Sequence, residues 1–323
     1  MKTIKYIDLF AGVGGFRYGI ENIRSAKQVI CERSNSNNNI KNKLVEWKCL
    51  YSNEWNKYAN QCYKKHYGEC DNRDIRTVPT SDIPDHDLLC AGFPCQSFSI
   101  AGKRLGFEDT RGTMFFEIAR IIRDKRPRYF LLENVKGLLS HDEGKTFQTI
   151  LGVLSDLGYE YQWQVLNSKD FGVPQNRERV FIVGHSRGTP RPEVFPIIGE
   201  GGQDCKIYGR ATGINGHDYL KRIYSDEGAS PKLPTGTGGN HYAKIISKTI
   251  RVGGGKSPHG SKQNWDSYEF DGVIRRLTPV ECERLQGFPD GWTDGFSDSQ
   301  RYKMMGNAVT TNVITEIVKK LTS

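Results

Sequence analysis

The chain has 323 residues, a formal net charge of +9, a hydrophobic fraction of 37% and a charged fraction of 26%. That composition belongs to a water-soluble globular protein with room for one large core and a smaller second unit. It excludes a membrane-spanning chain, because no apolar run approaches the roughly 20 residues that cross a bilayer.

Residues 1–10 run straight into a strand pattern without a basic and apolar leader, so the chain is expected in the cytoplasm. The eight cysteines, at 31, 49, 62, 70, 90, 95, 205 and 282, include no Cys-x-x-Cys pair. Reduced thiols are therefore expected, with no metal site and no disulfide frame. The basic excess is spread along the chain rather than packed into a tail, which suits a polyanionic partner.

From the N-terminus, strand patterns fall at 4–9, 50–52, 88–91, 129–133 and 179–184. Helical patterns lie at 54–67, 113–124 and 146–157. The 3.6-residue spacing of Met114, Phe115, Ile118, Ile121 and Ile122 marks one buried stripe. Strands alternating with helices predict a doubly wound, mostly parallel α/β domain over 1–186. An asparagine-rich tract at 35–42 reads as a surface insertion. Residues 187–272 turn rich in Gly, Pro and Ser and read as a small, loop-rich β unit. Helical pattern returns at 279–286 and 309–321, so 273–323 is expected to be a return segment whose last helix packs on the first domain.

Chemistry concentrates where these strands end. Asp8-Leu-Phe10-Ala-Gly12-Val-Gly14-Gly15 follows the first strand and opens a helix. Glycines there let backbone approach a ligand and leave helix N-terminal amides open. The dinucleotide fingerprint fails, because its third glycine is replaced by Arg17. A carboxylate at Asp8 opposes a phosphate but suits the methionine ammonium of S-adenosyl-L-methionine. Glu54 is a candidate for ribose hydroxyls, with Glu32 as its rival. Trp55 beside it is either an adenine platform or a core aromatic.

Gly92-Phe-Pro94-Cys95-Gln96 closes another strand, with Pro94 fixing the backbone before the thiol. The polar, glycine-containing run 97–111 reads as a mobile loop, and Cys90 in the apolar strand reads as structural. Glu133 ends a further apolar strand, and Gln175-Asn-Arg177-Glu-Arg179 precedes the next. A thiol, a carboxyl and a guanidinium on one sheet edge suit attack on an electron-poor ring.

These segments resemble the bacterial cytosine-5 DNA methyltransferases of restriction-modification systems. The matching stretches are FAGVGG (10–15), SNEW (52–55), GFPCQSFS (92–99), RGTMFFEIARI (111–121), ENVKG (133–137), QNRERVF (175–181), RRLTPVECERLQGFPD (275–290) and GNAV (306–309). Eight such motifs in family order are far more specific than any one. The resemblance covers 4–184 and 272–320. It implies a class I S-adenosylmethionine-dependent, Rossmann-like catalytic domain and a target-recognition domain over 187–272. Phe10 and Trp55 would flank the adenine, Glu54 would bind ribose, and Asp74 with Ile75 would meet the adenine amino edge. Asn307 and Val309 would complete a cofactor pocket shared with Gly12, Gly14, Gly15 and Pro94.

By the same resemblance, Cys95 would be the nucleophile on a flipped-out cytosine. Glu133 would engage its nitrogen 3, Arg177 would shape the pocket, and Arg179 would meet the base carbonyl. Among recognition residues, Arg222 stands in an Arg-Ile-Tyr that contacts a base in relatives. Tyr219 is a candidate for the vacated stack, and Thr235, Gly236 and Arg251 lie in glycine-rich loops able to approach a groove. The implied partner is double-stranded DNA, met by a monomer, with a separately acting restriction endonuclease as a further partner. Two departures stand out: the tract 33–50 lengthens the spacing from FAGVGG to SNEW, and Ala101 stands where relatives often carry serine.

Three rival readings follow from the residues. They are the same chemistry on tRNA, a non-catalytic cofactor- or DNA-binding module, and a nicotinamide dehydrogenase. Arg17 disfavours the last; Cys95 together with Glu133 disfavours the second.

Overall fold

The computed structural model describes residues 2–24, 30–32, 41–43, 45–94, 114–189, 192–202, 204, 207–210, 222–224, 230–231, 233, 244–247 and 273–322. The chain divides into two compact units, one of 1–167, 178–199 and 308–323, the other of 168–177 and 200–307.

In the first unit the chain runs β1 (Lys2–Leu9), α1 (Gly15–Glu21), β2 (Ile30–Glu32), β3 (Lys41–Lys43), β4 (Val45–Asn53), α2 (Lys57–Tyr67) and β5 (Leu88–Gly92). It continues through α3 (Met114–Lys125), β6 (Tyr129–Val135), α4 (Lys145–Asp156) and β7 (Tyr159–Asn167). Six strands form one sheet in the order β4-β1-β5-β6-β9-β7, where β9 is Glu178–Ser186. Strands β4, β1, β5 and β6 are mutually parallel, whereas β9 runs antiparallel to both β6 and β7.

The strand predicted at 179–184 therefore exists but is reversed, and β7 was not foreseen. Helix α4 carries the chain across to β7, which runs parallel to β6; the chain then returns between them along β9 without a crossover helix, and such a return gives antiparallel pairs. The sheet remains mostly parallel and matches the expected doubly wound class. Strands β2 and β3 pair antiparallel on either side of the asparagine-rich tract, whose residues 35–40 lie outside the described ones.

The core explains the helix positions. One sheet face contributes Ile7, Leu9, Leu89, Ala91, Phe130, Leu132, Val180 and Ile182. Against it pack Phe115, Ile118, Ala119, Ile121 and Ile122 of α3 and Phe147, Ile150 and Leu154 of α4. The stripe read at helical spacing is thus the buried face of α3, with Met114 half-buried at its end. Helix α2 begins at Lys57 rather than 54, because Asn56 caps it by accepting from the amides of Tyr58 and Ala59. That cap frees Glu54 and Trp55 from the helix.

The second unit holds β8 (Gln175–Asn176), β10 (Ile207–Arg210), β11 (Arg222–Tyr224), β12 (Ser230–Pro231), β13 (Lys244–Ser247) and β14 (Val273–Arg276). Four of them form a sheet in the order β10-β11-β13-β14. Helices α5 (Pro279–Leu285) and α6 (Asp298–Asn307) follow. Thr278 and Glu281 form a capping box at α5, with Pro279 in its first turn. The buried Glu283 carboxylate ties the two helices together, accepting from the amides of Gly291 (2.7 Å) and Thr293 (2.8 Å) and pairing with Arg301 (3.1 Å).

The chain ends in the first unit with α7 (Thr311–Thr322), which packs on α1. No helix among the described residues is long and apolar enough to cross a membrane.

Candidate active site

Two adjoining stretches of the carboxyl edge of the large sheet carry the predicted residues. At the ends of β1 and β4 the turn 10–14 is held by the Ala11 amide, which donates to the Asn53 carbonyl (3.0 Å), and by the Gly14 amide, which donates to Ala11 (2.8 Å). Three turn residues take positive φ: Phe10 (54°), Gly12 (55°) and Gly14 (92°). Glycine adopts this region without penalty, while Phe10 is strained there.

Glu54 braces the same turn. One carboxylate oxygen accepts the Gly12 amide (2.8 Å) and the other the Asn56 amide (2.7 Å), while Asn60 donates to its carbonyl (3.0 Å). Burial pushes the Glu54 carboxyl up from the usual range, against the pull of the two amides. Glu32 lies in β2, where its backbone pairs with Lys41.

Trp55 is 65% exposed, so the core-aromatic alternative fails and its ring stands free beside Glu54. Asp8 is wholly buried in β1, beneath the turn rather than on its open face, and neither carboxylate oxygen has a side-chain hydrogen-bond partner. Burial raises its pKa to about 8. Arg17 opposes that shift and the neighbouring Glu54 charge reinforces it. Arg17 stacks over Tyr67, 4.2 Å from the ring centroid, and pairs with Glu21 at 3.0 Å.

Asp74 caps the short turn Ile75–Thr77 by accepting the Arg76 amide (3.0 Å), and its carboxylate is forked by the Arg76 guanidinium. Ile75 is buried. Val309 sits against Gly15 so closely that a Cβ on that glycine would fall 2.7 Å from its Cγ1. Asn307 is exposed at the end of α6, in the second unit.

At the ends of β5 and β6, Gly92 stands in register with Glu133. The Glu133 Oε2 atom lies 3.3 Å from where a Cβ on Gly92 would be, so the glycine makes room for the carboxyl. Arg179, on β9 opposite Val135, places Nε 2.9 Å from Glu133 Oε1 and donates from Nη1 to the Glu178 carbonyl (2.8 Å). Both side chains are largely buried, at 8% and 13% exposed. A guanidinium with fixed planar donors so near a carboxylate sets the carboxyl's orientation.

The buried Asn134, which sequence reading passed over, donates to the Phe93 carbonyl (2.9 Å) and accepts the Val135 amide (2.8 Å). It anchors the chain just before exposed Pro94. The signal was an asparagine directly after Glu133 in an apolar strand, a position that must find partners when buried. Cys95 lies outside the described residues, but the chain reaches it from the edge that carries Glu133.

Arg177 belongs to the second unit, where it is buried and donates to the Gly306 carbonyl (3.1 Å). Arg222 opens β11 opposite Arg210. Tyr219, Thr235, Gly236, Arg251 and Ala101 lie outside the described residues.

Comparison with known proteins gives the family and the fold. A model of the C-5 cytosine-specific DNA methylase family matches residues 4–323. The chain is 41% identical over 329 residues to Type II methyltransferase M.NgoBI of Neisseria gonorrhoeae, covering 99% of this chain and 93% of that protein. It is 36% identical over 339 residues to Type II methyltransferase M.HhaI of Haemophilus parahaemolyticus, covering 99% and 94%. Among solved structures, a mutant of Spodoptera frugiperda DNMT2 shares the fold with a TM-score of 0.67 at 20% identity, over 99% of this chain and 100% of that one.

Proposed function

Because the chain belongs to the C-5 cytosine-specific DNA methylase family, we propose that Cys95 is the nucleophile through which it methylates cytosine. The enzyme is a DNA (cytosine-5-)-methyltransferase, and its family uses S-adenosylmethionine. The observation that carries the residue assignment is the Gly92–Glu133 register, three residues before position 95 in the chain, with Arg179 2.9 Å from the carboxyl.

The residues present suit that cofactor. Glu54 accepts the Gly12 and Asn56 amides on its two carboxylate oxygens and keeps their remaining lone pairs for ribose hydroxyls, and exposed Trp55 offers a face to adenine; the motifs add Phe10, Ile75, Pro94, Asn307 and Val309. Asp74 is engaged by Arg76, so its part at the adenine edge falls to whatever acceptor capacity that pair leaves. When bound, the cofactor supplies an electrophilic methyl carried on a sulfonium.

Carbon 5 of cytosine is too weak a nucleophile to take that methyl unaided. Addition of the Cys95 thiolate to carbon 6 forms a carbon–sulfur bond and pushes electron density toward nitrogen 3, which receives a proton that the Glu133 carboxylate has first taken up from solvent as the base docks. Arg179 holds Glu133 in place and offers donors to the base carbonyl. The ring is then nucleophilic at carbon 5. After carbon 5 is methylated, a base removes its proton and the Cys95 sulfur leaves carbon 6, restoring the aromatic ring. None of these atoms is reachable inside a duplex, so the cytosine is flipped out, at a few kcal/mol of unstacking.

Residues 187–272 form the target-recognition domain, with Arg222, Tyr219, Thr235, Gly236 and Arg251 as its DNA contacts. The working unit is a cytoplasmic monomer on double-stranded DNA, in a restriction-modification setting with a separately acting endonuclease. Bisulfite sequencing of a plasmid carried in cells that express the chain tests this reading. Protected cytosines should fall in one short sequence and vanish with Cys95→Ser. Tritiated-methyl transfer to tRNA but not to duplex DNA would overturn it.

A further inference from the structure

We propose that Asp8 makes binding of the cofactor proton-linked, and that its charge lets the site favour cationic S-adenosylmethionine over the uncharged thioether product. The inference rests on the cofactor reading above. It starts from an oddity of the fold: a carboxyl with no exposure and no side-chain hydrogen-bond partner, helped as an anion by the Arg17 charge and, last, by the Arg17 backbone amide, at the end of the strand that leads into the turn Glu54 braces. A buried carboxylate without side-chain partners is unstable as an anion unless a cation comes near.

The groups facing Asp8 leave it in that condition. In register beside it on β5 is Cys90, and β4 brings Cys49; helix α2 brings Tyr63 and Tyr67, followed by Cys70. Burial holds these thiols and phenols in their neutral forms, and the Asp8 charge adds to the effect on each. Glu54 repels an Asp8 anion. Arg17 on α1 attracts it, yet that guanidinium is already engaged by Glu21, the Tyr63 hydroxyl (3.4 Å) and the Tyr67 ring.

Substrate and product differ by one positive charge, on sulfur, and share every other ionisable group. With Asp8 protonated, the turn rests on a neutral floor and the charge difference is barely felt. With Asp8 ionised, the sulfonium form is favoured. Linkage runs both ways: binding of the cation drives a proton off Asp8, and loss of the charge on methyl transfer lets the proton return and loosens the product.

The test uses equilibrium binding to the full chain. Dissociation constants of S-adenosylmethionine and S-adenosylhomocysteine are measured at about pH 6.5 and about pH 8.5, on either side of the Asp8 pKa of about 8. The product-to-cofactor ratio should rise roughly fivefold with pH, the order expected for a unit charge acting across several ångströms of protein. It should stay flat in Asp8→Asn.

The α-amino group of both ligands titrates in this range, so only the ratio isolates the sulfonium. Calorimetry of the unmodified protein in two buffers of different ionisation enthalpy needs no variant. Near pH 8 the cofactor should release more protons than the product does. A pH-independent ratio with equal proton counts overturns the inference while leaving the cofactor reading intact, as does a ratio that rises equally in Asp8→Asn. Failure of either ligand to bind at any pH overturns the cofactor reading itself.

Discussion

The pair Glu133–Arg179 is the part of the site whose energetics the structure fixes most closely, and a double-mutant cycle of Glu133→Gln and Arg179→Met exposes it. The contact is 2.9 Å between two side chains that are 13% and 8% exposed. Removing one member of a well-buried ion pair costs about 3–5 kcal/mol, because the other charge stays desolvated. Two features lower that figure. Arg179 keeps its bond to the Glu178 carbonyl when Glu133 changes, and Gln preserves the shape and one acceptor of Glu. Each single variant should therefore lose about 2–3 kcal/mol.

The double variant leaves no orphaned charge and should lose no more than either single one, giving a coupling of about 2 kcal/mol. Urea unfolding followed by tryptophan fluorescence measures it. Methyl transfer should meanwhile fall by roughly a thousandfold or more in each single variant, with no further loss in the double, as for groups acting as a unit. Stability losses that add within about 0.5 kcal/mol would mean the two side chains do not interact in solution. The claim that Arg179 positions the carboxyl would then be wrong.

Gly19→Ala in α1 would place a Cβ 2.7 Å from both Ile314 Cβ and the Thr311 carbonyl of α7, so it should destabilise by about 1–2 kcal/mol despite alanine's better helix propensity. Gly152→Ala in α4 meets nothing within 4 Å and should stabilise by about 0.5–1 kcal/mol in the same denaturation assay. Trp55→Ala should leave the unfolding midpoint unchanged, since its ring is exposed, while weakening cofactor binding about tenfold by calorimetry.

Asp8 also sets a pH dependence of stability. The unfolded carboxyl ionises near 4 and the folded one near 8. Ionisation therefore favours the unfolded state across that window, and stability falls as pH rises through it, by on the order of 5 kcal/mol, then levels off. Asp8→Asn should flatten the decline seen in urea midpoints between pH 5 and 8; a wild-type midpoint constant over that range would contradict the burial argument.

How much of this was legible in the sequence varies with how local each determinant is. Strands β1, β5 and β6 are buried on both faces and read as short apolar runs, so their carboxyl ends were placed to within a residue or two. With the ends went Asp8, Gly92, Glu133 and the approach to Cys95. Glu54 was legible as a carboxylate after a strand, but not as the acceptor of the Gly12 amide, because that bond joins residues 42 positions apart. Asp74 shows the limit of carrying a role over by motif. Its carboxylate is taken by Arg76, two residues on, a pairing that sequence proximity allowed but did not compel.

The unforeseen strand β7 shows why the rest was hidden. Its sequence, YEYQWQVLN, alternates as a strand should, yet Gln162 and Gln164 give it the polarity of a surface loop. In the fold these two amides stand in for a missing neighbour strand. Gln162 donates to the Pro192 carbonyl (2.8 Å) and accepts the amides of Val194 and Phe195. Gln164 donates to the Ile197 carbonyl (3.0 Å) and accepts its amide (2.8 Å). The segment 192–197 is thereby bonded to β7 through these two side chains rather than through a backbone ladder. Those glutamines are strand residues only because their partner is backbone some thirty positions downstream, and periodicity within a window of ten residues carries no trace of it. The edge that carries the candidate site escaped this difficulty because chemistry restricts which side chains can stand there, whereas the sheet's outer strand is restricted only by what happens to lie beside it.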